Sequence, residues 1–245
     1  MKTKAVLFDL CDTLFLFDSK RLPSVSINGQ EIRSTTGLVH EIFCRHAPVP
    51  FETFYHAFVE TTQEITRVRE QNHREVTSLE KFQRILHRLE LKPAPVPDSW
   101  LTQIVWAHMN ALATALHLPD SHRILIEEIR NKYPLGIITN FDHTPTVHQL
   151  LVREKLQDYF GPVVISAEVG WRKPRREIFQ KALDLLGIKA EQAIFVGNDL
   201  KIDVVGAQAM GIPTVWFNRH NEAPSPHDPL PDYSVSRLED LQNIL

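Results

Sequence analysis

From residue 120 to the C-terminus, short apolar runs alternate with helical patterns, and this alternation leaves few folds open. The runs are 135–139 (LGIIT), 162–166 (PVVIS), 193–197 (AIFVG) and 213–217 (PTVWF). Between them, helical spacing covers about 121–132, 144–156, 175–186 and 203–210. Strands that are apolar on both faces must be covered on both faces, and single helices between them make the strands parallel. The opening segment 4–9 (KAVLFD) has the same character. Pro145 and Pro174 stand where first-turn prolines belong, and Gly187 and Gly211 where helices stop. Ser236 and Glu239 have capping-box spacing, which predicts one more helix closing the chain. The Pro-rich stretch 222–231 (EAPSPHDPLP) reads as a surface connection.

Between about residues 16 and 118 the pattern changes. Asn28-Gly29 lies between alternating residues in VSINGQEI (25–32), a strong short signal for a β-hairpin. Helices follow at about 36–46, 51–71, 78–90 and 99–117. Thr77 and Glu80 form a capping-box pair, and Pro93, Pro95 and Pro97 separate the last two helices. The expected organisation is an α/β, Rossmann-like core built from 1–15 and 119–245, with an all-helical insertion at 16–118. Phe51, Phe54, Tyr55, Phe58, Trp100 and Trp106 recur at helical spacing and read as the core of that insertion. Arg67, Arg69 and Arg74 suit either a solvated helix face or contact with an anionic substrate.

Composition removes several function classes. Lys and Arg number 27 against 30 Asp and Glu, a net charge of −3 that offers no basic footprint for nucleic acid. No apolar run reaches the roughly 18 residues that span a bilayer. Two cysteines, Cys11 and Cys44, are too few for a disulfide framework, so a reducing, cytoplasmic setting is expected. The twelve histidines show no zinc spacing. The chain is expected to act on a small molecule, as a monomer or homodimer, with no nucleic-acid or membrane partner.

In an open parallel sheet, ligands bind beyond the carboxyl ends of the strands. Those ends carry Asp9 in FDLCDTL, Thr139 and Asn140 in GIITNFD, and Asn198, Asp199 and Asp203 in VGNDLKID. Lys173, in GWRKP, follows the strand that ends near Ser166. Three carboxylates, a lysine and a hydroxyl on one rim are costly unless a cation or an anionic ligand balances them.

This ordered set resembles the haloacid dehalogenase superfamily of hydrolases, in the subgroup with a helical cap inserted after the first motif. The resemblance spans the chain and is densest at 4–15 and 135–217. It implies a Rossmann-like core and an Mg²⁺-dependent phosphatase acting on a small phosphorylated metabolite. Carried over by position, Asp9 is the nucleophile that forms an aspartyl-phosphate. Thr139, Asn140 and Lys173 hold the phosphoryl group, and Lys173 also neutralises the nucleophile. Mg²⁺ meets Asp9, the backbone carbonyl of Cys11 and acidic groups of the last motif: Asp203, with Asp199 ranked above Asn198 as the adjoining ligand.

Two departures qualify the resemblance. Family phosphatases carry a second aspartate two residues after the nucleophile, as general acid and base, whereas this chain has Cys11. Asn198 stands where many members have the first aspartate of the last motif. Two further readings follow. A haloacid dehalogenase cleaving carbon–halogen bonds needs no second aspartate, because halide leaves unprotonated. A phosphate- or metabolite-binding member with weakened turnover would also tolerate both changes.

Overall fold

The protein is described by a computed structural model covering residues 3–27, 29–91 and 98–245. The chain separates into two units, one formed by the residues up to Leu16 with His117–Leu245, the other by Phe17–Leu116.

The first unit is built on a six-stranded sheet. Its strands are β1 (Ala5–Phe8), β4 (Leu135–Thr139), β5 (Phe160–Ile165), β6 (Ala193–Gly197), β7 (Thr214–Phe217) and β8 (Tyr233–Val235). Their order across the sheet is β8-β7-β6-β1-β4-β5, and all pairs are parallel. Every residue of β1, β4, β6 and β7 is buried, as two-sided covering requires. The helices are α5 (Asp120–Ile129), α6 (Thr144–Arg153), the short α7 (Ser166–Val169), α8 (Arg176–Leu186) and α9 (Val205–Ala209). Helix α8 presses Ile178, Phe179, Ala182 and Leu183 onto Leu7, Ile138, Val164 and Phe195 of the sheet.

From β1 the chain moves outward through β4 and β5, then returns to place β6 on the other side of β1. This is the topological switch point, where the carboxyl ends of β1, β4 and β6 leave a crevice. Close strand packing at β4 needs Gly136, since a Cβ there would lie 2.7 Å from Leu7 Cδ2 and 2.8 Å from Pro162 Cγ.

Among its described residues the second unit holds an antiparallel hairpin, β2 (Ser24–Ile27) with β3 (Gln30–Arg33), and four α-helices. These are α1 (Thr36–Phe43), α2 (Phe51–Asn72), α3 (Ser78–Arg88) and α4 (Asp98–Ala115). The Thr77–Glu80 capping box forms as expected. Phe43 meets Phe54 and Trp100 with ring centroids 5.0 and 5.1 Å apart, so part of the aromatic series is core packing. Arg69 pairs with Glu75 at 2.8 Å and Arg74 lies 3.7 Å from Glu80, so two of the three candidate anion-binding arginines have carboxylate partners in their own unit. Asn28, Pro93, Pro95 and Pro97 lie outside the described residues.

Several expectations are corrected. The closing helix is a 3₁₀ segment, Leu238–Asn243, started by Arg237, and no Ser236–Glu239 capping box forms. Its buried residues, Leu238 and Leu241, are three apart, the repeat of a 3₁₀ turn. Just before it, Tyr233–Val235 adds a strand that the sequence reading missed. The segment expected as one helix at 203–210 is a π-type turn, Leu200–Val204, continuing into α9. Pro174 precedes the N-cap of α8 rather than entering its first turn, and the Lys173–Pro174 peptide is cis. Among the described residues, no helix is long and apolar enough to cross a membrane.

Candidate active site

Asp9 is the first residue beyond β1, held in line by a 2.9 Å bond from its amide to the Val196 carbonyl. The chain then turns sharply. Leu14 and Phe15 amides both donate to the Leu10 carbonyl, at 3.0 and 2.8 Å, and Asp12 adopts a left-handed φ of 57°. The Asp9 side chain is 9% exposed.

Lys173 Nζ sits between two carboxylates, 2.5 Å from Asp9 Oδ1 and 2.7 Å from Asp203 Oδ1. Both Lys173 and Asp203 are 2% exposed. Burial works against a charged lysine, but Asp203 and Asp9 outweigh it and hold the pKa above the ordinary lysine value. Asp9 responds in the opposite sense to most ion-paired carboxylates. Desolvation raises its pKa to about 6, Asp203 adds to the rise, and Lys173 offsets only part of it. Two buried carboxylates share one ammonium, which leaves one negative charge uncompensated.

Thr13, fully buried, places its hydroxyl 3.2 Å from Asp9 Oδ2 and 3.2 Å from Asn198 Oδ1. Its single proton serves one of the two oxygens at a time. Asn198 is anchored through its carbonyl by Trp216 Nε1 at 2.9 Å. Asp203 reaches the site because Gly197 lacks a side chain: a Cβ there would overlap the Asp203 side chain, with Cγ at 2.5 Å.

Asp199 is engaged locally, its amide donating to Asp203 Oδ2 at 3.1 Å. Its Oδ1 accepts from the amides of Lys201 and Ile202, at 2.8 and 3.0 Å, capping the turn that follows. Asp12 likewise directs its carboxylate 3.6 Å from Arg219. Thus Asp9, Thr13, Lys173, Asn198 and Asp203 are brought together, while Asp199 Oδ1 is committed to the amides of Lys201 and Ile202.

At the end of β4, Thr139 is 1% exposed and its hydroxyl has no hydrogen-bond partner among the described residues. A buried hydroxyl without a partner costs about 1–3 kcal/mol and calls for an explanation. The Asn140 side chain clamps the backbone of Lys173, accepting from its amide at 2.7 Å and donating to its carbonyl at 3.1 Å. It therefore positions the lysine. Sequence reasoning assigned Asn140 to phosphate and did not foresee this contact, nor the bridging position of Thr13.

Cys11 is half-buried, and its thiol pKa is pushed upward by burial, with Asp9 and Asp12 adding to the effect. The group stays a neutral thiol at physiological pH.

Comparison with known proteins identifies the family. The family model for haloacid dehalogenase-like hydrolases matches residues 47–217. Glyceraldehyde 3-phosphate phosphatase of Pyrococcus furiosus is 31% identical over an alignment covering 100% of this chain and 93% of that protein. The pyrimidine 5′-nucleotidase YjjG of Escherichia coli is 31% identical over 69% of this chain and 73% of its own. Among solved structures, a 2-haloacid dehalogenase from Pseudomonas syringae shares the fold with a TM-score of 0.69 at 23% identity, covering 99% of this chain and 97% of that one. The magnesium-bound hydrolase YfnB of Bacillus subtilis gives 0.64 at 20%, covering 100% and 99%. With an aspartate at the tip of its first strand, a lysine between two carboxylates and a family match over most of its length, the chain belongs to the haloacid dehalogenase-like hydrolases.

Proposed function

We propose that the protein is a phosphatase for a small phosphorylated metabolite, working through an aspartyl-phosphate on Asp9. The observation that carries this reading is the combination of Lys173 between Asp9 and Asp203 with the unpartnered buried hydroxyl of Thr139. A phosphoryl group supplies what that set lacks: acceptor oxygens for the hydroxyl and the ammonium. The full-length similarity to a glyceraldehyde 3-phosphate phosphatase supports the substrate class.

The donor set fits Mg²⁺. Among the described residues no three His, Cys, Asp or Glu side chains gather as a metal cage, but Mg²⁺ is usually held by one or two carboxylates, waters and substrate phosphate. Asp9, Asp203, the Cys11 carbonyl and the Asn198 amide oxygen would supply hard oxygen ligands. Asn198 takes the place first expected for Asp199, whose Oδ1 caps a turn. When bound, the ion would polarise the phosphoryl oxygens and offset the excess negative charge of the two carboxylates.

In the first step, an Asp9 carboxylate oxygen bonds to phosphorus as the phosphorus–oxygen bond to the leaving group breaks. Lys173 and Thr139 hold the charge that spreads onto the phosphoryl oxygens. Water then attacks phosphorus as the bond between phosphorus and the Asp9 oxygen breaks; the water proton passes to solvent, inorganic phosphate leaves and the Asp9 carboxylate is restored. Burial pushes the Cys11 thiol pKa upward, which makes it a poor proton shuttle in place of the missing carboxyl, so the leaving group takes its proton from solvent. The helical unit Phe17–Leu116 is the proposed source of substrate selectivity.

The direct test is Mg²⁺-dependent phosphate release from aryl and alkyl phosphates. Aryl esters, with good leaving groups, should be favoured. Cys11→Asp should raise kcat on alkyl phosphates by about 10²-fold, the lower range for positioned acid catalysis, and should change aryl phosphate turnover far less. Equal effects on both substrates would show that position 11 is not where the leaving group takes its proton.

Cys11 also favours one competing chemistry, carbon–halogen cleavage. Halide release from 2-chloropropionate in the presence of chelator, without phosphatase activity, would replace the present reading.

Thr139→Val gives a separate check. Loss of an unpartnered buried hydroxyl should leave thermal stability unchanged or raised by about 1 kcal/mol, while phosphatase kcat/KM falls by about 10²-fold. A stability loss with unchanged activity would mean that the hydroxyl serves the fold.

A further inference from the structure

Helix α5 carries a histidine that the chemistry above does not use. His122 is 4% exposed, on the same face as Leu125, Ile126 and Ile129. Its Nδ1 lies 3.0 Å from the carbonyl oxygen of Leu14. A carbonyl can only accept, so Nδ1 carries the proton and the neutral ring is held in one tautomer. The edge-to-face contact with Phe217, at a centroid distance of 5.7 Å, fixes the ring plane. Burial lowers the imidazole pKa, which favours the neutral ring.

Leu14 closes the turn that begins at Asp9. Its amide is bonded to the Leu10 carbonyl. The preceding residue, Thr13, is the one whose hydroxyl meets Asp9 Oδ2 and Asn198 Oδ1. The Leu14 carbonyl belongs to the same peptide unit as the amide of Phe15, itself bonded to the Leu10 carbonyl. A donor on the Leu14 oxygen therefore restrains the orientation of the turn that carries Thr13.

We propose that His122 is a positioning residue for the nucleophile: by donating Nδ1–H to the Leu14 carbonyl, it holds the Leu10–Phe15 turn so that Thr13 keeps Asp9 aimed. The inference rests on the reading of Asp9 as nucleophile. A structural histidine and a positioning one differ in what their loss changes. Misplacing a reacting group by an ångström can cost about 10²-fold in rate while leaving binding intact.

The test compares His122→Leu, His122→Gln and His122→Asn with the parent, by aryl phosphate kinetics and by the backbone amide resonances of Asp9 and Thr13. Asparagine places an amide nitrogen near the Nδ1 position, whereas glutamine reaches toward Nε2. His122→Leu and His122→Gln should lose about 10- to 100-fold in kcat, with KM within about two-fold, and shift both amide resonances. His122→Asn should recover most of the kcat and the parent resonances. Equal kcat in the Asn and Leu variants, whether both like the parent or both lost, would overturn the proposal. An inactive parent counts against the phosphatase reading alone; the resonances then decide, and unshifted Asp9 and Thr13 amides in His122→Leu refute the positioning role.

Discussion

Replacing Asp9 by asparagine should abolish phosphate release, by about 10⁴-fold or more, and at the same time make the metal-free protein harder to unfold at pH 8. The first effect follows because no other carboxylate at the β1 tip can form the covalent intermediate: Asp12 is turned toward Arg219. The second follows from the sign of the Asp9 shift. Its folded-state pKa is raised to about 6, from 3.8 for an ordinary aspartate. A raised carboxyl pKa contributes stability that is fully present below the unfolded value and lost as pH climbs through the folded one. Above pH 6 the parent holds an unfavourable buried charge, which asparagine removes. The stability gain should therefore be largest above pH 6 and fade as pH falls toward 4. Thermal unfolding of both proteins in chelator, across that range, checks it. A variant less stable than the parent at pH 8 would mean that the Lys173 pairing outweighs the desolvation of Asp9.

Lys173→Met carries the second large effect, on stability and turnover together. The lysine is the bridge between Asp9 and Asp203, and removing it leaves two buried carboxylates facing each other without a cation. Breaking a buried pair by deleting one partner typically costs about 3–5 kcal/mol. For a chain of this size each kcal/mol lowers Tm by about 2–4 °C, so a fall of roughly 10 °C is expected at pH 8 without divalent ions. With the ammonium gone, Asp9 loses the contact that lowers its pKa and holds its proton to higher pH. The deficit should shrink on acidification, opposite in sense to ordinary acid denaturation. Turnover should fall by about 10²–10³-fold, the scale of losing one charge-stabilising donor. Unfolding scans at pH 5 and 8, with kinetics at saturating Mg²⁺, measure both. An unchanged Tm would show that the ion pair is not a structural element of the free enzyme.

The sheet was largely legible in the sequence because its strands are buried on both faces. Such strands show as uninterrupted apolar runs, and LGIIT and AIFVG became strands with the expected bounds. Tyr233–Val235 escaped because an edge strand of three residues, two of them exposed, has neither length nor apolar continuity. The candidate cluster was legible in part, since Asp9, Thr139, Lys173 and Asp203 stand at strand ends or in the loops that follow.

Direction was not legible. Asn198 and Asp199 are neighbours, and spacing alone cannot tell which one faces Asp9 and which one caps the next turn. The Asn140 clamp on Lys173 joins residues 33 apart and depends on where two loops meet. His122 did carry a signal: a histidine at the start of an i, i+3, i+4, i+7 apolar face with Leu125, Ile126 and Ile129. A polar ring on such a face needs a buried partner, but the face does not say that the partner is Leu14.

The most direct measurement is acid-quenched peptide mass spectrometry during turnover of an aryl phosphate with Mg²⁺. The account predicts a phosphoryl group on the peptide carrying Asp9, labile at high pH and missing in Asp9→Asn. Active turnover with that peptide unmodified, or with the phosphoryl group attached elsewhere, would contradict it.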